Sequence, residues 1–368
     1  MSSPLSQHAI APAEVLRGPG AWAQGLGRIQ VLCGRPLVLG RSPATAVLRR
    51  QLLADLVATG LDPHSAELHH DCCEEDLARI GAACQELGCD GVIAIGGGKV
   101  LDAGKLLAHR YKLPCITVPT SAATCAGWTA LANLYSPAGA FLGDVTLDRC
   151  PDLLIFDHTL IRQAPSRTLA SGIADAMAKW YEASVSSGAS GDGLVQQAVQ
   201  MARVLRDQLL LEAEEALRDP HGEAWERVVE ACGLSAGLIG GIGGARCRTV
   251  AAHAVHNGLT QLEASHERLH GEKVGFGILV QLRLEEVLGG SQLAGQARRQ
   301  LLPLFRRLGL PVRLEDLGLA EVGLHELQHA CAFACREDSD LHHLPFAVSP
   351  NDLLAALVST CSSERQPA

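Results

Sequence analysis

The chain of 368 residues lacks an excess of basic charge. With 31 Lys and Arg against 40 Asp and Glu, its formal net charge is -9, so it has no electrostatic footprint for nucleic acid. It also lacks any window approaching the roughly 18 consecutive apolar residues of a membrane-spanning helix. Its first residues, MSSPLSQHAIAPAEV, carry no basic segment followed by an apolar core of the kind that directs secretion. The expectation is a cytoplasmic protein with neither nucleic acid nor membrane as partner. No CxxC pair occurs among 13 cysteines, and only Cys72 with Cys73 and Cys331 with Cys335 lie close together. Such scatter argues against a disulfide framework and reads as reduced thiols used mostly as small buried hydrophobes. There is no internal repeat, and only SSERQPA at the end reads as a disordered tail. What is there, 47% hydrophobic and 19% charged residues over a length ample for two domains, can fill real cores.

Short apolar runs alternate with longer mixed segments through the first half. RPLVLG (35–40), GVIAIGGG (91–98), CITVPT (115–120) and LLIF (153–156) read as buried strands. Between them LRRQLLADLVATG and EEDLARIGAACQELG carry helical spacing and end on glycine. The alternation predicts a parallel, doubly wound sheet. From about residue 166 only amphipathic helical windows follow, beginning with PSRTLASGIADAMAKWYEAS, where Pro165 and Ser166 are start signals. The expected organisation is an α/β domain over 1–162 and an all-α domain over 163–368. LRDQLLLEAEEALRDPHGEAWERVVEA reads as one acidic helix with a solvated face.

Two loops and one histidine-rich stretch carry chemistry. In AIGGGKVLDAGK, three glycines after a strand let the backbone approach a bulky anion, and the following helix offers unpaired N–H groups to a pyrophosphate. A tight βα turn would use the same residues, and the motif is neither GxGxxG nor a Walker sequence. PTSAAT, also directly after a strand, adds hydroxyls at the carboxyl edge where ligands of open α/β sheets collect. In AAHAVHNGLTQLEASHERLHGEK, His253 and His256 share a helix face, while His270 opens a further helix. Neutral imidazoles with a carboxylate are a common set for a divalent metal that keeps one position for water or substrate. Asp175, an acid within the apolar SGIADAMAKW, is the candidate carboxylate, unless it is simply an exposed helix residue.

GGGK with VPT, then GIADAMAKWYEA, then HAVHNGL and HGEKV, in this order resemble the glycerol dehydrogenase branch of the metal-dependent, iron-type alcohol dehydrogenases, over nearly the whole chain. The resemblance implies a Rossmann-like N-terminal domain for a nicotinamide cofactor, an all-α metal-binding domain, and a cleft between them, an architecture shared with dehydroquinate synthase. It implies Asp175, His253 and His270 as metal ligands. It puts Gly96, Gly97, Gly98, Lys99, Val100, Leu101, Thr120, Ser121, Thr124, Thr129, Leu131 and Tyr135 at the cofactor. A small carbonyl or alcohol is the implied substrate and a homo-oligomer the implied assembly. The metal acts as a Lewis acid on the substrate oxygen while hydride moves to or from the nicotinamide. His256, one turn from His253, is either a proton relay beside the ligands or an inert helix histidine.

Three departures from the family pattern carry further expectations. Iron-type relatives have a fourth ligand, a histidine four residues after the aspartate. Here that position is Lys179, which favours zinc over iron or another divalent metal. At the end of the strand in PLVLGRSPA, glycerol dehydrogenases place an aspartate near the ribose. Here it is Arg41, which accepts a 2′-phosphate and predicts NADP(H) over NAD(H). Cys125 replaces an aspartate that contacts polyol hydroxyls, which removes a negative charge from the substrate pocket. ATCAGWT, AKWYEA and Arg248 resemble the hydroxycarboxylate dehydrogenases, which reduce 2-oxo acids such as 2-oxobutyrate. Lys179 and Arg248 become candidate anchors for a substrate carboxylate. A surface or cofactor contact remains open for Arg248, and an ion pair with Asp175 for Lys179. Glycerol dehydrogenase with NAD, a dehydroquinate synthase-like lyase and a non-catalytic binding protein are the alternatives.

Overall fold

The apolar runs that alternate with helices become strands because a parallel sheet covered on both faces excludes water from every residue. A computed structural model describes residues 7–244 and 247–360, so the expected C-terminal tail lies outside the described residues. The strands are β1 (Val15–Gly18), β2 (Pro36–Gly40), β3 (His64–Glu67), β4 (Gly91–Gly96), β5 (Cys115–Pro119), β6 (Leu131–Tyr135), β7 (Phe141–Thr146) and β8 (Leu153–Asp157). Six form one parallel sheet in the order β1-β8-β5-β4-β2-β3, and β6 pairs with β7 separately. The register sets Ile93 between Val38 and Ile116, and these residues pack with Ile29, Leu52 and Leu56 in one core. The four strands read from sequence are the fully buried ones. The edge strands β1 and β3 are short and only partly buried, so they lack the apolar run that marks the others. The strand before Arg41 is therefore the second of the chain.

The chain divides into two compact units. The first comprises residues up to 138, 142–165 and 233–244; the second comprises 139–141, 166–232 and 245 onward. The break falls three residues after the expected one, and residues 233–244 join the first unit against expectation. Glycine explains that exchange. A Cβ on Gly233 would lie 2.3 Å from the Phe156 ring, and one on Gly237 would lie 2.6 Å from Trp128. Only bare backbone packs that closely.

Apart from Phe141, the first residue of β7, all regular elements of the second unit among the described residues are helical. The Ala251–Leu259 and His270–Val287 helices contribute Val255, Leu259, Phe276, Val280 and Leu284 to a core closed by Leu353 and Leu357. The acidic segment is two helices rather than one, Gly193–Arg218 and Glu223–Glu230. Pro220 cannot continue the first helix, and the Asp219 carboxylate accepts the His221 amide at 2.9 Å to form the turn. No helix among the described residues is long and apolar enough to cross a membrane. None of the twelve described cysteines is in a disulfide, and burial pushes the thiols of Cys33, Cys115 and Cys331 up to about 12, as expected of inert hydrophobes.

Burial also raises the Glu285 carboxyl to about 7, and the hydrogen bond from Gln281 only partly opposes it. Between the unfolded value near 4.5 and about 7 the folded chain keeps a proton that the unfolded chain releases, so stability falls as pH rises through that window. Glu285→Gln is expected to gain on the order of 2 kcal/mol over wild type at about pH 8 and little at about pH 4. Urea midpoints at the two pH values check this. A pH-independent difference between the two proteins would refute it.

Candidate active site

The Ser166–Ser187 helix carries Asp175, Lys179 and Glu182 at spacings of four and three, hence on one face. That face is turned inward: Asp175 is 4% exposed and Glu182 0%. A carboxylate buried this deeply needs partners. Glu182 has three, accepting the amides of Val250 and His253 at 2.7 and 3.0 Å and meeting His253 Nδ1 at 2.6 Å. An ionised carboxylate only accepts, so His253 carries a proton on Nδ1, and in its neutral form it presents a bare Nε2 to Asp175 Oδ1, 3.3 Å away. His270 is ordered by a longer chain. Asn257 Oδ1 lies 2.9 Å from His256 Nδ1, and His256 Nε2 lies 3.0 Å from His270 Nδ1. With the amide oxygen accepting at one end, each imidazole donates to the next group, and His270 Nε2 is left bare, 3.4 Å from Asp175 Oδ1.

Two imidazole lone pairs and a carboxylate oxygen thus converge, the ligand atoms all within 4.8 Å of one another. Asp175 Oδ1 is buried without a hydrogen-bond partner. Such a set of acceptors with no donor between them fits a divalent cation, with His256 and Glu182 orienting the two imidazoles. Burial alone would raise the Asp175 carboxyl, but His253, His270 and nearby Lys179 reverse this and hold it well below the usual carboxylate range. Burial would lower His253, yet Glu182 and Asp175 bring it up to about 9, so without a cation its Nε2 also holds a proton, which metal binding would displace. Burial holds His256 well below the usual imidazole range, and its neighbours His270, Lys273 and His253 disfavour a charge there further. Lys179 Nζ donates to the backbone carbonyl of Arg248 at 3.2 Å rather than closing an ion pair with Asp175.

Close helix contact sets the position of His270. A Cβ on Gly271 would fall 1.8 Å from the carbonyl oxygen of Ser171, one turn before Asp175. The Gly271 amide also donates to Ser171 Oγ at 3.0 Å, and Arg167 grips Glu272 with two hydrogen bonds of 2.6 and 2.7 Å. Sequence alone does not single out Glu182 or Asn257, and it marks Gly271 only as part of the start of the His270 helix. The signals that could have found them are the Asp175–Glu182 spacing of seven and the small-residue pair Gly271 and Gly275.

In the first unit, Arg41 follows β2, Gly97–Lys99 follows β4 and Thr120–Thr124 follows β5, so these loops collect at the carboxyl edge of one sheet. Gly98 has room for no side chain without crowding Thr124 Oγ1 at 3.1 Å, and Gly97 faces Ser121 with space to spare. Gly96 has a packing role, because a Cβ there would meet Val100 at 2.7 Å. Val100 and Leu101 are buried and their amides return to the Gly97 carbonyl. Thr129 and Leu131 are engaged by the buried ammonium of Lys105, which was not foreseen; it meets both the carbonyl and the hydroxyl of Thr129 at 3.1 Å. Lys99 stands over the Tyr135 ring, 5.1 Å from its centroid. The buried carboxylate of Asp71 binds Lys99 and Arg41 together. Cys125 is partly exposed, and its carbonyl accepts the Trp128 amide at 3.0 Å.

The model of the iron-containing alcohol dehydrogenase family matches residues 12–158. An oxidoreductase of Synechocystis sp. described as uncharacterized is 52% identical over 365 residues, covering 99% of this chain and 94% of that one. Hydroxycarboxylate dehydrogenase A of Escherichia coli is 38% identical over 296 residues, 77% of this chain and 78% of its own. The crystal structure of a probable glycerol dehydrogenase from Sinorhizobium meliloti superposes with a TM-score of 0.85 at 28% identity, covering 96% of this chain and 98% of that one. Matching sequence over both units and a shared fold from end to end lead to one conclusion: this chain belongs to the iron-containing alcohol dehydrogenase family, oxidoreductases that act on CH–OH groups with a divalent metal and a nicotinamide cofactor.

Proposed function

We propose that this protein reduces small 2-oxo acids to 2-hydroxy acids with NADPH, using a divalent metal, zinc by its donor set, held by Asp175, His253 and His270. The observation that carries the metal assignment is the buried, unpartnered Asp175 Oδ1 facing two bare imidazole nitrogens. When bound, the cation supplies Lewis acidity to the substrate oxygen and the nicotinamide supplies hydride. The chain's own residues do the positioning. Glu182 and His256 hold the ligand imidazoles in the required tautomers, and Gly97 and Gly98 with Ser121 and Thr124 leave a cradle for the cofactor phosphates. In this reading the α/β unit binds the nicotinamide cofactor and the helical unit binds metal and substrate.

For the substrate, likeness to Hydroxycarboxylate dehydrogenase A and the neutral Cys125 support an anion, with Lys179 and Arg248 as cations of the metal-bearing unit. Oxidation of NADPH against a panel of 2-oxo acids, aldehydes and dihydroxyacetone tests the whole reading. No turnover with any carbonyl at a filled metal site would sink it, and preference for dihydroxyacetone would favour the glycerol dehydrogenase reading that the Sinorhizobium structure suggests. Cys125→Asp is expected to lower the ratio of 2-oxo acid to dihydroxyacetone activity by about tenfold or more, the effect of a like charge near an anion. An unchanged ratio would return Cys125 to packing.

For the cofactor, Arg41 is 39% exposed at its side chain, and it and Lys99 share one buried carboxylate, so this corner keeps a net positive charge. That supports recognition of a 2′-phosphate. Arg41→Ala is expected to reduce kcat/KM for NADPH by about 10- to 100-fold and leave that for NADH within a few-fold, the loss of one charge-assisted contact. Equal losses for both cofactors would contradict the assignment.

A further inference from the structure

We propose a second metal site in the α/β unit, formed by His70, Cys73 and Asp76, that takes a thiolate-accepting divalent cation of the zinc class. These residues surround the start of the Glu74–Glu86 helix, which Cys73 caps. Their ligand atoms, a His70 ring nitrogen, Cys73 Sγ and an Asp76 carboxylate oxygen, all lie within 4.8 Å of one another. His70 Nδ1 and Asp76 Oδ2 are 3.5 Å apart, within the roughly 3.3–3.8 Å that separates neighbouring ligands around a tetrahedral zinc with bonds of about 2.0–2.3 Å.

The surroundings are those of an oriented site. Asp76 Oδ2 accepts the amides of His69 and His70 at 2.9 and 2.7 Å, and Oδ1 pairs with Arg79, so the carboxylate cannot rotate away. Cys73 is 1% exposed. His70 Nδ1 is buried and has no hydrogen-bond partner, although the ring as a whole is 35% exposed. A ring nitrogen is thus held beside a thiol and a carboxylate while the ring's outer edge gives an ion a way in. One thiolate, one imidazole and one carboxylate select zinc or cobalt(II) over magnesium or calcium, with water completing the shell. Thiolate and carboxylate charge are both favoured at a helix N-terminus. The same loop carries Asp71, which holds Arg41 and Lys99, so an ion here would stiffen the segment that sets those two cations.

The catalytic set contains no sulfur, and this makes the two sites separable. Full-length protein stripped with a chelator and titrated with cobalt(II) is expected to bind two equivalents, one of which brings a near-ultraviolet thiolate-to-cobalt charge-transfer band. Asp175→Asn should keep the band and bind one equivalent. Cys73→Ser and His70→Ala should each lose the band and retain the other equivalent. If Cys73→Ser does not fold, His70→Ala decides, because its ring is partly solvent-exposed and its removal opens no core cavity. Absence of the band from wild type, or a band that survives either His70→Ala or Cys73→Ser, overturns the proposal.

Discussion

Replacing Glu182 by glutamine is expected to cost metal affinity about 10- to 100-fold while the protein stays folded, the size of effect seen when a group that orients a metal ligand is lost. The carboxylate accepts from three N–H groups, two on the backbone and one on His253. A carboxamide of the same shape keeps its oxygen on the two amides and turns its NH2 toward His253 Nδ1. That nitrogen must then accept, the proton moves to Nε2, and the lone pair needed at Asp175 disappears. Metal content after dialysis, and activity titrated with added zinc, measure this directly, and excess metal should restore most of the turnover. Glu182→Ala goes further, leaving three buried donors unpaired at a cost on the order of 3 kcal/mol or more. Wild-type metal affinity in Glu182→Gln would show that the tautomer of His253 is set elsewhere.

The second large effect is expected from a single methyl group. Gly271→Ala places a Cβ 1.8 Å from the Ser171 carbonyl oxygen and 2.6 Å from its carbon, and both are backbone atoms that cannot rotate away. The His270–Val287 helix must shift outward and give up close packing along its length, where a Cβ would lie only 2.9 Å from Ala174 at Gly275 and 2.3 Å from the Ala252 carbonyl oxygen at Gly277. Such overpacking against backbone is expected to destabilise by about 3 kcal/mol or more. Because His270 is the adjacent residue, bound metal should fall with it. Gly27→Ala is the control, a helical glycine with nothing within 4 Å, and it should gain about 0.5–1 kcal/mol. A Gly271→Ala protein with unchanged Tm and metal content would contradict the geometry of this helix crossing.

Local pattern determined much of this protein. Continuous apolar runs marked β2, β4, β5 and β8 because a strand buried on both faces must be apolar at every position. Helical periodicity separated the α/β half from the helical half, and the motifs containing Asp175, His253 and His270 pointed to a metal. The strands that escaped notice, β1, β3, β6 and β7, are short or half-exposed and leave no run or clear alternation to read. Pro220 is a break visible in the acidic segment, and it separates the two helices there.

Tertiary structure alone decided the rest. Glu182 meets His253 across 71 residues of chain, Ser171 meets Gly271 across 100, and Asp71 gathers cations from two separate loops. Likewise, nothing near Gly233 or Gly237 in sequence announces Phe156 or Trp128 as the ring that excludes a side chain. Periodicity reports which face of an element is buried, because burial repeats with the geometry of helix and strand. It carries no information about which distant group fills the space opposite, and at this site that distant group sets where each proton sits.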